Sequence, residues 1–375
     1  MQKSSMNQAI PQRSIWLHPD TDQTVQIIDQ RSLPHLLKIV DIQSSDEAAR
    51  AIKEMWVRGA PLIGAMAGFA YWLAVCEAKR HPQAESYLAQ QIALIAAARP
   101  TAVNLAWALD LQMEAAKGLD SFGEREVKAL QIAKDIVALE VQISDQIGNY
   151  GLSLIQDLYQ KLQRPINILT HCNAGRMATI EWGTATAPVY KAHQAGIPLH
   201  VWVDETRPRN QGARITAWEL GVAGIAHTVI ADNTGGHLMQ HGKVDMCIVG
   251  TDRTTRTGDV ANKIGTYLKA LAAWDNQVPF YVALPSSTID WSLSDGITEI
   301  PIEERGAEEV KYIQGWSEQE EKMYKVRLTP AESPALNYGF DVTPARYVSG
   351  LLTERGLCEA SEQGLLSLFP KQNQP

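Results

Sequence analysis

Short apolar runs alternate with stretches of helical spacing through the second half of the chain. After Arg164-Pro165 the runs INILT, LHVWV, HTVI and MCIVG are followed by helical patterns at 177–195, 211–221, 234–242 and 261–274, and FYVAL closes the series. Runs this short, bounded by polar residues, read as strands, and repeated strand–helix alternation means a parallel sheet with right-handed crossovers. The first half has a different rhythm. SIWLH and TVQIID, within residues 14–40, alternate as short strands of a small sheet. Ala48, Ile52, Met55 and Trp56 recur at helical spacing behind Ser-Ser-Asp-Glu, which suits an N-cap and a helix over 45–57. Leu88, Ile92 and Ile95 mark a helix at 84–98, Pro100 interrupts it, another helix runs from Thr101 to about Lys117, and a long helical pattern covers 123–162. The pattern predicts an α/β chain. A smaller mixed domain of short antiparallel strands and helices, residues 1–150, precedes a parallel-sheet domain, residues 151–375, and the long helix bridges them.

Composition narrows the class. A chain of 375 residues exceeds one typical domain, and 45% hydrophobic with 20% charged residues argues against disorder and coiled coils. Thirty-four Lys plus Arg against 42 Asp plus Glu give a net charge of -8, so no global cationic field attracts a phosphate backbone, and nucleic acid is not an expected partner. Cys76, Cys172, Cys247 and Cys358 lie far apart without a CxxC pair, so neither a disulfide framework nor a zinc ribbon is encoded and a reducing cytoplasm fits. No apolar run follows Lys3, so no secretory signal is expected. Residues 59–76 carry no charge, but their glycines, alanines and Pro61 make them weakly apolar, and they read as a packed core helix rather than a membrane span.

Ligands of open α/β sheets bind beyond the carboxyl ends of the strands. Those ends are polar here: INILT runs into His171-Cys172-Asn173-Ala174-Gly175, LHVWV into Asp204-Glu205-Thr206-Arg207-Pro208, and MCIVG into Thr251-Asp252-Arg253. Cys172 reads either as a buried structural thiol or, ahead of a loop of small residues, as a catalytic one. His171 is a poor base for it, because neighbouring strand residues point to opposite faces. Asp252 reads either as a salt-bridge partner of Arg253 or as a general acid whose pKa desolvation raises. Arg58, Arg99 in a helix break and Lys263 at a helix start suit a phosphate together. No GxGxxG follows a strand and no P-loop is present, which disfavours a nucleotide cofactor. His237 and His241 have metal spacing but neither a third ligand nor an intervening Glu, so no metal is assigned.

The motifs RGAPLIG at 58–64, RPTAVNLAWALD at 99–110, THCNAG at 170–175, VDETRPRNQGARITAWEL at 203–220, GTDRTTRTGDVANKIGT at 250–266 and FDVTPA at 340–345 are long and specific. On these the chain resembles the methylthioribose-1-phosphate isomerase family of methionine salvage, within the wider translation-initiation-factor-2B-like superfamily, over residues 14–358. The resemblance implies a Rossmann-like C-terminal domain and an aldose–ketose isomerase that converts 5-methylthioribose 1-phosphate to 5-methylthioribulose 1-phosphate. It also implies a homodimer without metal, nucleotide or other cofactor. It carries Cys172 and Asp252 over as the catalytic pair, and Arg58, Gly59, Ala60, Arg99, Gln211, Asn262 and Lys263 as substrate-binding positions. Arg176, Glu181-Trp182 and Thr251 depart from the usual pattern. Arg176 reads either as a ligand for a second anion, which would favour ribose 1,5-bisphosphate, or as a solvent-facing charge. Isomerisation of 5-deoxyribose 1-phosphate stays open, since one apolar substituent discriminates by only about 1–3 kcal/mol. The rival from another class is a non-catalytic sugar-phosphate-sensing regulatory subunit, which would have no need of Cys172, Asp252, Arg58 and Arg99 together.

Overall fold

The computed structural model describes residues 10–100 and 102–370. Residues 1–9, Thr101 and residues 371–375 lie outside this description, and with them the stretch behind Lys3 and the first residue of the helix expected from Thr101. A three-stranded antiparallel sheet of β1 (Ile15–Leu17), β2 (Val25–Ile28) and β3 (Ile39–Ile42) opens the chain. Helices α1 (Ser45–Lys53), α2 (Ala60–Ala78), α3 (Ala84–Ala98), α4 (Val103–Ala116) and α5 (Phe122–Leu162) follow. Helix α1 is capped by Ser44, whose hydroxyl accepts from the Glu47 amide, as the Ser-Ser-Asp-Glu start predicts. Helix α2 is apolar on every side and therefore belongs inside a core. Among the described residues it alone is long and apolar enough to cross a membrane, and 89% of that window is buried. It packs on α5 and α4 in one cluster with Ile15, Ile27 and Ile42 of the small sheet.

Helix α5 has 41 residues, roughly 60 Å at about 1.5 Å per residue. Its Ala133, Ile136 and Val137 belong to the first core, whereas Ile143, Ile147 and Ile155 pack under the large sheet. Residue 150, where the sequence puts the boundary, therefore lies within a continuous helix.

Beyond α5 the chain alternates β4 (Ile166–Thr170), α6 (Ala187–Gln194), β5 (Leu199–Asp204), α7 (Ala217–Val222), β6 (His227–Ile230), α8 (Thr234–Gln240) and β7 (Met246–Val249). Then come β8 (Arg253–Thr255), β9 (Val260–Lys263), α9 (Thr266–Asp275), β10 (Phe280–Ala283), β11 (Ile289–Asp290), and the single turns α10 (Gly296–Glu299) and α11 (Glu308–Lys311). A hairpin of β12 (Tyr312–Ser317) and β13 (Lys322–Arg327), then β14 (Phe340–Thr343), β15 (Gly350–Thr353), β16 (Gly356–Cys358) and α12 (Glu362–Leu368) complete it. The large sheet has the order β16-β15-β10-β7-β4-β5-β6 and is parallel except for the edge strand β16. A second sheet, β11-β8-β9-β14, lies beyond its carboxyl edge in sequence.

Three elements depart from the sequence pattern. Only 187–194 of the expected 177–195 helix forms, because Gly183 at φ +86° and Pro188 place its start late. The 211–221 helix opens with a widened π turn at Gly212–Thr216. Most consequentially, the expected helix at 261–274 begins at Thr266: Ala261, Asn262 and Lys263 instead pair as strand β9 with β8 and β14. Cross-strand pairing overrides local propensity there, so Lys263 sits on a strand and not at a helix start.

Candidate active site

From β4 the large sheet grows through β5 to β6, then the chain returns to β7 beside β4 and grows the other way through β10 to β15. The loops leaving β4 and β7 diverge at this switch point and leave a crevice. Cys172 comes two residues after β4 ends, and Asp252 three after β7 ends. One cavity of about 760 Å³, its mouth included, is lined by Arg58, Gly59, Ala60, Arg99, Cys172, Gln211, Asp252, Asn262 and Lys263. Every residue nominated from the sequence thus borders the same space.

Local structure explains each placement. The Arg58 Nη1 donates to the Asn173 carbonyl at 3.1 Å, and its Nη2 to the Asn173 side chain, which ties the cation to the Cys172 loop. Gly59 caps α2 with φ +92°, and a Cβ there would stand 2.2 Å from the Ala178 carbonyl oxygen. Only glycine fits, and it brings Gly59, Ala60 and Pro61 at the start of α2 to the cavity wall, where Pro61 has no amide proton and the Leu62 amide is spent on the Ala178 carbonyl at 3.3 Å. Arg99 caps α3 in an extended conformation, at the break before Pro100. Lys263 Nζ donates to the Gly339 carbonyl at 3.0 Å and lies 4.4 Å over the Phe340 ring. The Gln211 Oε1 is buried without a partner, an acceptor waiting for a donor. Cys172 adopts φ +67°, uncommon for a side-chain-bearing residue, with its amide bonded to Thr206 Oγ1 at 2.8 Å and its carbonyl to Thr216 Oγ1 at 2.7 Å.

Burial dominates the electrostatics. It pushes the Asp252 carboxyl above its ordinary range, while Lys263, Arg99 and Arg58 pull it back. The Cys172 thiol is likewise pushed up by burial, against Arg58 and Lys263. Burial lowers the pKa of Arg58, Arg99 and Lys263. The shift of Asp252 is in the direction a general acid needs. Arg253 pairs with Asp290 at 3.6 Å. His171 is buried with Nδ1 2.9 Å from Asp204 and Nε2 2.8 Å from the Ile264 carbonyl; both nitrogens are engaged, which removes it as a base.

Sequence reasoning missed Arg209, Glu303 and Arg305, which also line the cavity. The signal was the charge-rich run EIPIEERGAEEV, legible only once β14 brings residues 303–305 alongside 337–339. Arg176 does not border the catalytic cavity. It lines a separate one with Glu181, Trp182 and Glu219, and its Nε and Nη2 are buried, so neither the second-anion nor the solvent-facing reading matches its position.

Position and charge together define the class: an α/β enzyme whose buried, cationic switch-point pocket suits a small anion beside a carboxyl that burial pushes above its ordinary range. Residues 56–360 match the initiation factor 2 subunit family, and the chain belongs to it. A methylthioribose-1-phosphate isomerase of Paramagnetospirillum magneticum is 57% identical over 96% of this chain and 98% of its own length, and one of Desulfatibacillum aliphaticivorans is 56% identical over 96% and 97%. Among solved structures, the 5-methylthioribose 1-phosphate isomerase of Pyrococcus horikoshii OT3 superposes with TM-score 0.81 at 37% identity, covering 96% of each chain. The translation initiation factor eIF-2B, subunit delta, from A. fulgidus reaches 0.79 at 34% identity over 96% of this chain and 99% of its own.

Proposed function

We propose that this enzyme is an aldose–ketose isomerase that converts 5-methylthioribose 1-phosphate to 5-methylthioribulose 1-phosphate in methionine salvage. The observation that carries the reading is the convergence of Cys172, Asp252 and a cationic phosphate cradle on one switch-point cavity, in a chain 57% identical to an isomerase of that name. A second lobe adds to it. Ile63, Val103, Ile300, Ile302 and Phe340 form the apolar wall of an adjoining lobe, which Arg253 also borders and which shares Arg99, Asp252 and Glu303 with the first. A substrate with its phosphate in the cationic lobe offers its C5 substituent to the apolar one, which suits a methylthio group better than a second phosphate.

Phosphate on the anomeric oxygen leaves no free aldehyde, so the ring must open first. Protonated Asp252 donates to the ring oxygen as C1 gains oxocarbenium character, and the resulting carboxylate later takes the C2 hydroxyl proton. Hydrogen then moves from C2 to C1. It travels as a proton through an enol phosphate with Cys172 as base, or as a hydride within the pocket. The upward push on the thiol favours the hydride route, which needs no thiolate. Arg58, Arg99 and Lys263 hold the phosphate, with Gln211 and Asn262 on the sugar. Cys172→Ala and Asp252→Asn are each expected to lower turnover about 10²–10⁴-fold. Near-normal rates in either variant would remove that residue from the mechanism, and solvent exchange of a C2 deuterium label separates the two routes.

The same reading makes the protein a cytoplasmic homodimer with a small phosphorylated sugar as its ligand, and with neither nucleic acid nor membrane as a partner. The net charge of -8 and the burial of α2 support it. Sedimentation at two ionic strengths tests the dimer. The two domains, 1–150 and 151–375, share α5, so a single unfolding transition is expected.

A further inference from the structure

Two carboxylates face the catalytic cavity, and the mechanism above uses only Asp252. Glu303 borders both the cationic and the apolar lobe, as Asp252 does. Its backbone is fixed: the Gly339 amide donates to the Glu303 carbonyl at 2.8 Å, the Arg305 amide to the Asn337 carbonyl at 2.8 Å, and Glu304 bridges Tyr338. This clamp runs directly into β14, whose Phe340 pairs with Lys263. Glu303 is thus mounted on the framework that positions Lys263. Its Oε1 accepts from Arg305 Nη1 at 2.7 Å. Arg305 is also gripped by Glu309 through Nε at 2.8 Å and Nη2 at 2.7 Å, so the guanidinium keeps its place without Glu303. The Glu303 Oε2, by contrast, is buried and has no hydrogen-bond partner. A buried carboxylate oxygen without a donor costs free energy unless a ligand supplies one.

We propose that Glu303 binds the substrate's C3 hydroxyl through Oε2; the proposal rests on the isomerase reading above. The C2 hydroxyl gives its proton to Asp252, and the C3 hydroxyl is the next donor along the ring. With phosphate in one lobe and the C5 substituent in the other, that hydroxyl falls where the two carboxylates meet. The charged groups bordering this junction are Arg305 from the same segment, held by Glu309 behind it, Arg99 from the α3–α4 break, Arg209 from the loop after β5, Arg253 from β8, Lys263 from β9, Arg58 before α2, and Asp252 itself. Repulsion from Glu303 raises the Asp252 pKa and so favours the form that opens the ring.

Steady-state kinetics of the full-length protein test this, with wild type, Glu303→Gln and Glu303→Asp on methylthioribose 1-phosphate and its 3-deoxy analogue. Wild-type turnover of methylthioribose 1-phosphate comes first; its absence sinks the isomerase reading and this proposal with it. Given turnover, Glu303→Gln should lower kcat/KM about 10–100-fold. It should also move the alkaline limb of the pH profile to lower pH, and Glu303→Asp should recover part of both effects. The 3-deoxy analogue should be impaired in wild type and lose little more in Glu303→Gln. Equal losses on both substrates with an unmoved pH limb would show a structural role only, and no loss at all would equally overturn the proposal. Melting curves confirm that each variant is folded.

Discussion

Asp252 titrates against burial and three cations at once, and the balance leaves its proton on above the ordinary carboxyl range. The sign follows. A raised carboxyl pKa means the protonated form, active as the acid, persists at low and intermediate pH and is lost as pH rises through the raised value. The kcat/KM profile should therefore fall on its alkaline side, and Lys263→Met, which removes the largest opposing cation, should carry that fall to higher pH. A fall that moves to lower pH would contradict the assignment. Gly59 shows a different constraint. With φ +92° and a Cβ position 2.2 Å from the Ala178 oxygen, Gly59→Ala forces the backbone to shift. We expect a stability loss of at least about 1–3 kcal/mol by thermal denaturation, with loss of phosphate affinity from the displaced start of α2. At this scale the sequence was informative wherever a motif was long. Cys172, Asp252, Arg58 and Gly59 were nominated by their neighbours, whereas Glu303, Arg305 and Arg209 become visible only through contacts between distant segments.

Among the elements, α5 connects the two cores, and it carries an unusual group. Glu140 is buried, its Oε1 has no partner, and burial together with Glu354 pushes its pKa up to about 8. Between the ordinary carboxyl value and about 8 the folded chain holds a proton that the unfolded chain has lost, so stability falls as pH rises through that window. Glu140→Gln should abolish this slope and be the more stable protein above pH 8 by a few kcal/mol, in denaturant titrations at pH 5 and pH 9. Parallel slopes in both proteins would assign the proton elsewhere. Periodicity located α1, α3, α5 and the strands β4, β5, β6, β7 and β10, because their apolar positions recur at the spacing of the element they form. It failed at β9, where residues with no strand signature of their own gain one from β8 and β14. Helix α6 is shorter than expected for a related reason, since the 171–186 loop spends its apolar residues Met177, Ala178 and Ile180 on packing rather than on a helix face.

For the whole molecule, the fold alone does not choose a function. Chains described as an isomerase and as an initiation factor subunit superpose on it with similar scores, 0.81 and 0.79. What separates the readings is chemistry at the switch point: a carboxyl that burial pushes above its ordinary range, a thiol on a strained residue and a buried cationic cradle that a sensor of sugar phosphate would not need in full. Paired lobes, one cationic and one apolar, further predict which sugar 1-phosphate is turned over. The most direct measurement is ketose phosphate formation by the purified protein from 5-methylthioribose 1-phosphate, 5-deoxyribose 1-phosphate and ribose 1,5-bisphosphate, compared by kcat/KM. The account predicts the highest value for the methylthio substrate, the deoxy compound behind it by the worth of one apolar substituent, about 10–200-fold, and the bisphosphate lowest. A preference for the bisphosphate, or no turnover of any of the three, would contradict it.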